Sequence, residues 1–133
     1  MTKVTVSTWV TVKDGPRLSL SNEIQPETVA QSTLQLDETG GTAPEQTAEL
    51  LASGGRAVLL ALTARTAGGE PAEVTLRPVN GSDTGDPLPV SGGFAAASPG
   101  LLDALVTGGP RSIVVTNTGS EKVTVRIVAA RAD

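Results

Sequence analysis

Residues 111–130, RSIVVTNTGSEKVTVRIVAA, decide the fold class. Ile113-Val114-Val115-Thr116 is a run of β-branched residues, which pack well on a pleated strand and crowd the preceding turn of a helix. Asn117-Thr118-Gly119-Ser120-Glu121 interrupts the run with turn-forming residues. Lys122 to Val128 then alternates polar and apolar with period two. Two strands joined by a tight connection are predicted, with Asn117 and Gly119 supplying the positive-φ positions that a hairpin turn needs.

Upstream, the same phrase recurs. Gly108-Gly109-Pro110-Arg111-Ser112-Ile113-Val114-Val115 is echoed by Gly54-Gly55-Arg56-Ala57-Val58-Leu59-Leu60. Val123-Thr124-Val125-Arg126-Ile127-Val128 is echoed by Val74-Thr75-Leu76-Arg77-Pro78-Val79. Residues 54–79 and 108–128 therefore read as a weak internal hairpin repeat within a single domain spanning 1–133. The repeat bears on an ambiguous segment. Arg56–Arg65 (RAVLLALTAR) is apolar in both phases and contains Ala and Leu, which favour helices. Its place in the repeat makes it a strand buried on both faces.

The rest of the chain is punctuated in the same way. Val4–Val12 alternates and reads as a half-buried strand, stopped by Lys13-Asp14-Gly15-Pro16. Arg17–Ser21 reads as a short edge strand, Asn22–Pro26 as a connection and Val29–Leu36 as a strand. Thr47–Leu51 fits helix or strand, while Leu88–Val90 and Phe94–Ala97 are short extended pieces. Residues 37–44 and 80–93 are Gly- and Pro-containing loops, suited to contact a partner. The one helix signal lies near 99–106, where Ser98 can cap, Pro99 can open the first turn and Gly108 can stop it. At two turns it reads as a crossover or lid. Seven to nine short strands and one helix make the chain all-β, an antiparallel β-sandwich of jelly-roll or Greek-key-like form. Two similar hairpins can each supply strands to both sheets of such a sandwich.

Composition narrows function by exclusion. The 133 residues contain no Cys, His or Tyr, and only one Trp, one Phe and one Met. Thiolate and imidazole chemistry and the usual zinc, haem and iron–sulfur ligand sets are thereby absent. Ten Lys and Arg against 14 Asp and Glu give a net charge of −4, the wrong sign for a phosphate-neutralising nucleic-acid binder. The first residues lack the apolar core of a signal peptide. The longest apolar run, Ala57–Leu62, is far short of the ~20 residues that cross a bilayer, so no membrane partner is expected. With so few aromatic residues the core must be aliphatic and thin, a condition that burial against further copies of the chain relieves.

Each candidate motif has an ordinary alternative. Asn80–Asp86 (NGSDTGD) offers Asp83, Asp86 and carbonyls of the kind calcium favours, but lacks EF-hand spacing and a bidentate Glu. It reads as an exposed turn. Asp37 and Glu38, with Glu45 and Glu49, offer a cation or a basic partner an acidic surface, or simply form a solvated loop face. Arg77 and Arg126 occupy equivalent repeat positions, as do Arg56 and Arg111. They form either a quasi-symmetric set of guanidinium groups for an acidic partner surface or the outward positions of alternating strands. Trp9 is out of phase with the valines of its strand and is either an interface anchor or core. The Gly doublets lack phosphate-loop spacing and no Ser has a His partner. The possible interface residues are Trp9, Asp37, Glu38, Arg77 and Arg126. No catalytic residue, metal ligand or cofactor emerges, and the chain reads as a non-enzyme.

The N-terminal strand TKVTVSTWVTVKDGP, the Gly-punctuated body and the closing RSIVVTNTGSEKVTVRIVAA resemble small virion proteins of tailed bacteriophages, such as capsid decoration and minor tail components. The Arg-over-Lys bias of a GC-rich genome is similar to that of actinobacterial phages. The resemblance implies virion localisation, symmetric homo-oligomers such as trimers, attachment to a capsid or tail protein lattice, and no catalysis. TNTGSEKVTV is also similar to bacterial immunoglobulin-like surface modules, which implies the alternative of a carbohydrate- or protein-binding β-sandwich module.

Overall fold

The computed structural model describes residues 3–51 and 55–132; Gly54 of the repeat and the outermost residues 1, 2 and 133 lie outside them. The fold is all-β and antiparallel with one short helix. Among the described residues eleven strands occur: β1 (Val4–Thr11), β2 (Arg17–Ile24), β3 (Thr28–Leu36), β4 (Glu45–Glu49), β5 (Arg56–Thr66), β6 (Glu73–Asn80), β7 (Asp83–Thr84), β8 (Leu88–Ser91), β9 (Gly93–Ala96), β10 (Ser112–Asn117) and β11 (Val123–Ala132). The helix α1 (Pro99–Leu105) lies between β9 and β10. One sheet has the order β4-β10-β6-β7, with β8 also paired to β6. A second has the order β3-β11-β5-β9. Strands β1 and β2 pair only with each other, as a ribbon outside both sheets.

The two-residue period places the core between the sheets. Val123, Val125, Ile127 and Ala129 of β11 are buried with Leu60, Leu62 and Ala64 of β5 and Leu34 and Leu36 of β3. The same cluster takes Ile113 and Val115 from β10, Val74 and Leu76 from β6, and Ala48 from β4. Leu, Ile, Val and Ala fill this core, as the near-absence of aromatics requires. Partly buried Phe94, Leu88 and Val90 pack against its margin.

Residues 111–130 fold as strands, but not as a hairpin pair. Strand β10 belongs to the five-stranded sheet and β11 to the four-stranded one, so the turn between them carries the chain across the core. Strands β5 and β6 are divided in the same way, beyond a bridge between Arg65 and Pro71 at the turn. Neither Asn117 nor Gly119 has the positive φ expected of them; Asp14 is the one non-glycine residue that does, among the described residues. The two copies embrace each other instead. Strand β11 pairs with β5 and β10 with β6, so each copy supplies one strand to each sheet. A perfect twofold would set Val125 opposite Leu60, as Val115 faces Leu76; Val125 faces Ala64, four positions along.

Other differences have local causes. The ambiguous 47–51 segment is strand β4 at Glu45–Glu49, because β10 offers it a five-residue ladder. Residues 80–93 are largely ordered into β7 and β8 by pairing with β6. Strand β2 runs on to Ile24 because β1 pairs with all eight of its residues. Helix α1 has the expected start: Leu101 N–H donates to the Ser98 side chain at 3.5 Å, with Pro99 opening the first turn. It is not a mere lid, because Leu102 is fully buried in the common core.

Gly93 begins β9 with φ +139°, and a Cβ there would collide with the Leu62 carbonyl oxygen of β5. Gly69 also has positive φ, +84°, but faces open space. Gly93→Ala should therefore lower stability by about 2 kcal/mol or more, and Gly69→Ala by about 1 kcal/mol, in urea unfolding. Equal losses would show that steric contact at β9 is unimportant.

Candidate functional site

The first strand alternates as expected, but it is not half-buried. Every residue of β1 and β2 is exposed except Val4, Val6 and Ile24, which are partly covered near the body. The ladder runs from Val4 opposite Ile24 to Thr11 opposite Arg17, and the Val12–Pro16 turn closes its tip. Opposed residues share a face of an antiparallel pair. One face therefore carries Val4 with Ile24, Val6 with Asn22, Thr8 with Leu20 and Val10 with Leu18, and Val12 extends it. Leu18 is 67% exposed, Leu20 56%, and Val10 and Val12 49% each. The other face is polar apart from Trp9, 72% exposed opposite Ser19. A two-stranded ribbon alone is marginal in water, and this one leaves an apolar stripe uncovered.

The outer faces of the two sheets have opposite charge. Strands β3, β5, β9 and β11 contain no Asp or Glu, while Arg65 and Arg126 project outward from β5 and β11. Both line a groove of about 990 Å³ between this sheet and the ribbon, with Phe94, Val128, Ser7 and Thr8. The outer face of the five-stranded sheet instead carries Glu45 and Glu49 of β4 and Glu73 of β6, all exposed, around Arg77. Thr47, Val114 and Arg77 form one rung across it, and Thr116 donates a hydrogen bond to Glu45 at 3.1 Å. Arg77 and Arg126 thus lie on opposite sides of the molecule and do not form one guanidinium set. The other repeat pair does come together: the Arg111 guanidinium donates to the Gly55 carbonyl at 2.7 Å, beside the 3.0 Å ion pair of Arg56 with Asp103.

Asp37 is committed to structure. Its carboxylate accepts the Ala43 N–H at 2.9 Å and its own N–H donates to the Ala43 carbonyl, closing the 37–43 loop. Asn117, 2% exposed, then pins this loop to the β10–β11 turn. Its Nδ2 donates to the carbonyls of Asp37 and Glu121, and its Oδ1 accepts the Gly119 N–H. Thr39 adds bonds to the Asn117 and Gly119 carbonyls. Glu38 is partly buried and lines a cleft with Glu70, Glu121 and Lys122. Residues 80–84 form the tight β6–β7 turn. Among the described residues no three Asp or Glu side chains gather as a metal-binding group. Sequence reasoning passed over Arg65 and Glu73, whose signal was the unequal distribution of acidic residues among the strands.

No family model matches the chain, and no curated protein matches it. Among solved structures the crystal structure of FlhE is similar, at 15% identity and a TM-score of 0.43, over 82% of this chain and 100% of that one.

Truncating Asn117 would leave the part-buried carbonyls of Asp37 and Glu121 without their donor. Asn117→Ala should cost about 2–3 kcal/mol and raise amide exchange across residues 37–44, read by hydrogen–deuterium exchange. Unchanged exchange there would mean the loop is held by Thr39 and the backbone alone.

Proposed function

We propose that this protein is a non-catalytic structural subunit that acts through symmetric protein–protein contacts, as a capsid decoration or tail-associated component of a phage particle. The observation that carries the reading is the β1–β2 ribbon. It presents Val10, Val12, Leu18, Leu20 and Trp9 to solvent, an arrangement suited to an assembly arm that is buried against neighbouring subunits. The thin aliphatic core supports the same reading, since subunit contacts add burial that the isolated chain lacks. The phage context rests on the resemblance of the sequence to small virion proteins.

A second reading, a carbohydrate- or protein-binding module, draws on the groove lined by Arg65, Arg126 and Phe94. Phe94 packs against the core margin, and sugar sites favour several exposed aromatic surfaces.

Light scattering coupled to size exclusion over a concentration series tests the choice. A closed oligomer with a mass that is a fixed multiple of 13.4 kDa is the expected result. A monomer at every concentration, together with binding on a glycan array, would replace the assembly reading with the binding module.

A further inference from the structure

The outer face of the four-stranded sheet changes character along its length, and register shows how. At one end Ala130 faces Leu59; they are 0% and 2% exposed, yet neither belongs to the core cluster between the sheets. The next rung on the same face is Val128, Ala61 and Ala95. Arg126 follows with Thr63 and Gly93, and Arg65 lies one rung further. The side chains from Val128 to Arg65 on these rungs all line the groove between the sheet and the ribbon. Rungs on one face are about 7 Å apart, so a covered apolar floor gives way to guanidinium groups within a short span.

Arg126 stands opposite Thr63, which makes Arg65 its diagonal neighbour, about 7–8 Å away between strands. Neither guanidinium has an ion pair or a hydrogen bond among the described residues. No Asp or Glu lines the groove. The contrast is with Arg56, which binds Asp103, and Arg111, which donates to the Gly55 carbonyl. A guanidinium fork matches the paired oxygens of a carboxylate or phosphate, and two forks this close can share one oxyanion. A cleft of about 990 Å³ with a mostly apolar lining and few placed polar groups has the make-up of a small-molecule site.

We infer that this groove binds an amphiphilic organic anion, its oxyanion on Arg65 and Arg126 and its hydrocarbon part on Val128, Ala61 and Ala95. The ligand lies with its apolar end toward the covered Ala130–Leu59 rung and its charge toward the exposed arginines. A neutral sugar would leave both guanidinium groups unpaired, and a free inorganic anion would leave the apolar rung wet, so neither uses both halves. The site is complete in one copy and stands apart from the assembly reading.

Titration of the native chain with decanoate and with decyl phosphate, followed by amide and arginine side-chain NMR, tests the site. Both probes carry the shared chemistry, and the tighter of them identifies the head group as carboxylate or phosphate. Shifts are expected across residues 61–65, 93–95 and 126–128 and at the Nε–H signals of Arg65 and Arg126. Decanol and inorganic phosphate, each with one half of the chemistry, should bind about tenfold or more weakly than decanoate and decyl phosphate. Arg65→Gln with Arg126→Gln should weaken the better probe about tenfold or more, whereas Arg77→Gln, on the opposite face, should leave it unchanged. Unchanged melting temperatures show that these variants fold, and the shift map of the native chain stands without them. Inorganic phosphate bound as tightly as decyl phosphate would overturn the apolar half of the site. Shifts confined to Val10, Leu18 and Leu20 would put the probe on the ribbon stripe and overturn the site, as would an absence of binding by both probes.

Discussion

Strand β11 is laddered on both edges, to β3 over nine residues and to β5 over ten positions, with a bulge between Ala130 and Arg131. The other elements of the four-stranded sheet take their places from it. Its alternation sends Val123, Val125, Ile127 and Ala129 into the core and leaves Thr124, Arg126 and Val128 outside. A slip of one residue would put Arg126 among the buried leucines and expose Val125. Register is therefore enforced by the cost of burying a guanidinium group as well as by the apolar gain.

That same alternation turns a strand-level bias into a property of the whole molecule. Four strands without acidic residues join one sheet, and the strands carrying Glu45, Glu49 and Glu73 join the other. The core between them is apolar, so the charges of each sheet must all leave through its outer face. A body with net negative charge thereby has one basic side. The arm, itself slightly basic, extends over that side.

Much of the architecture was legible in residues 111–130 because β-branched density and period two are local signals. The strand at Arg56–Thr66, the cap at Ser98 and the short helix were legible for similar reasons. The partition of strands between sheets was not. A tight turn looks alike whether its strands pair or part, and the choice here lies with ladders to partners distant in sequence, β4 and β6 for β10 and β3 and β5 for β11. The exposure of β1 was hidden too. Alternation identifies an apolar face, and Val4–Val12 has one, but periodicity carries no information on whether anything covers it. Of the candidate interface residues, Trp9 is exposed on the arm, Arg126 and Arg77 mark opposite faces, Glu38 lines a cleft and Asp37 closes its own loop. Arg65 and Glu73 could have been found by counting charge strand by strand.

Strand order also governs when this chain can acquire its sheets. Strand β11 lies between β3 and β5, and β10 lies between β4 and β6, yet both follow all four partners in sequence. Until they arrive, β3, β4, β5 and β6 have no neighbour on the side that the central strand will occupy. The first stages of folding can make the β1–β2 ribbon and the β6–β8 meander, which are local, while both sheets wait on closures of long range. Nascent chains therefore pass through a stage in which unpaired strand edges stand open, and speed of closure at β10 and β11 protects them from pairing with one another.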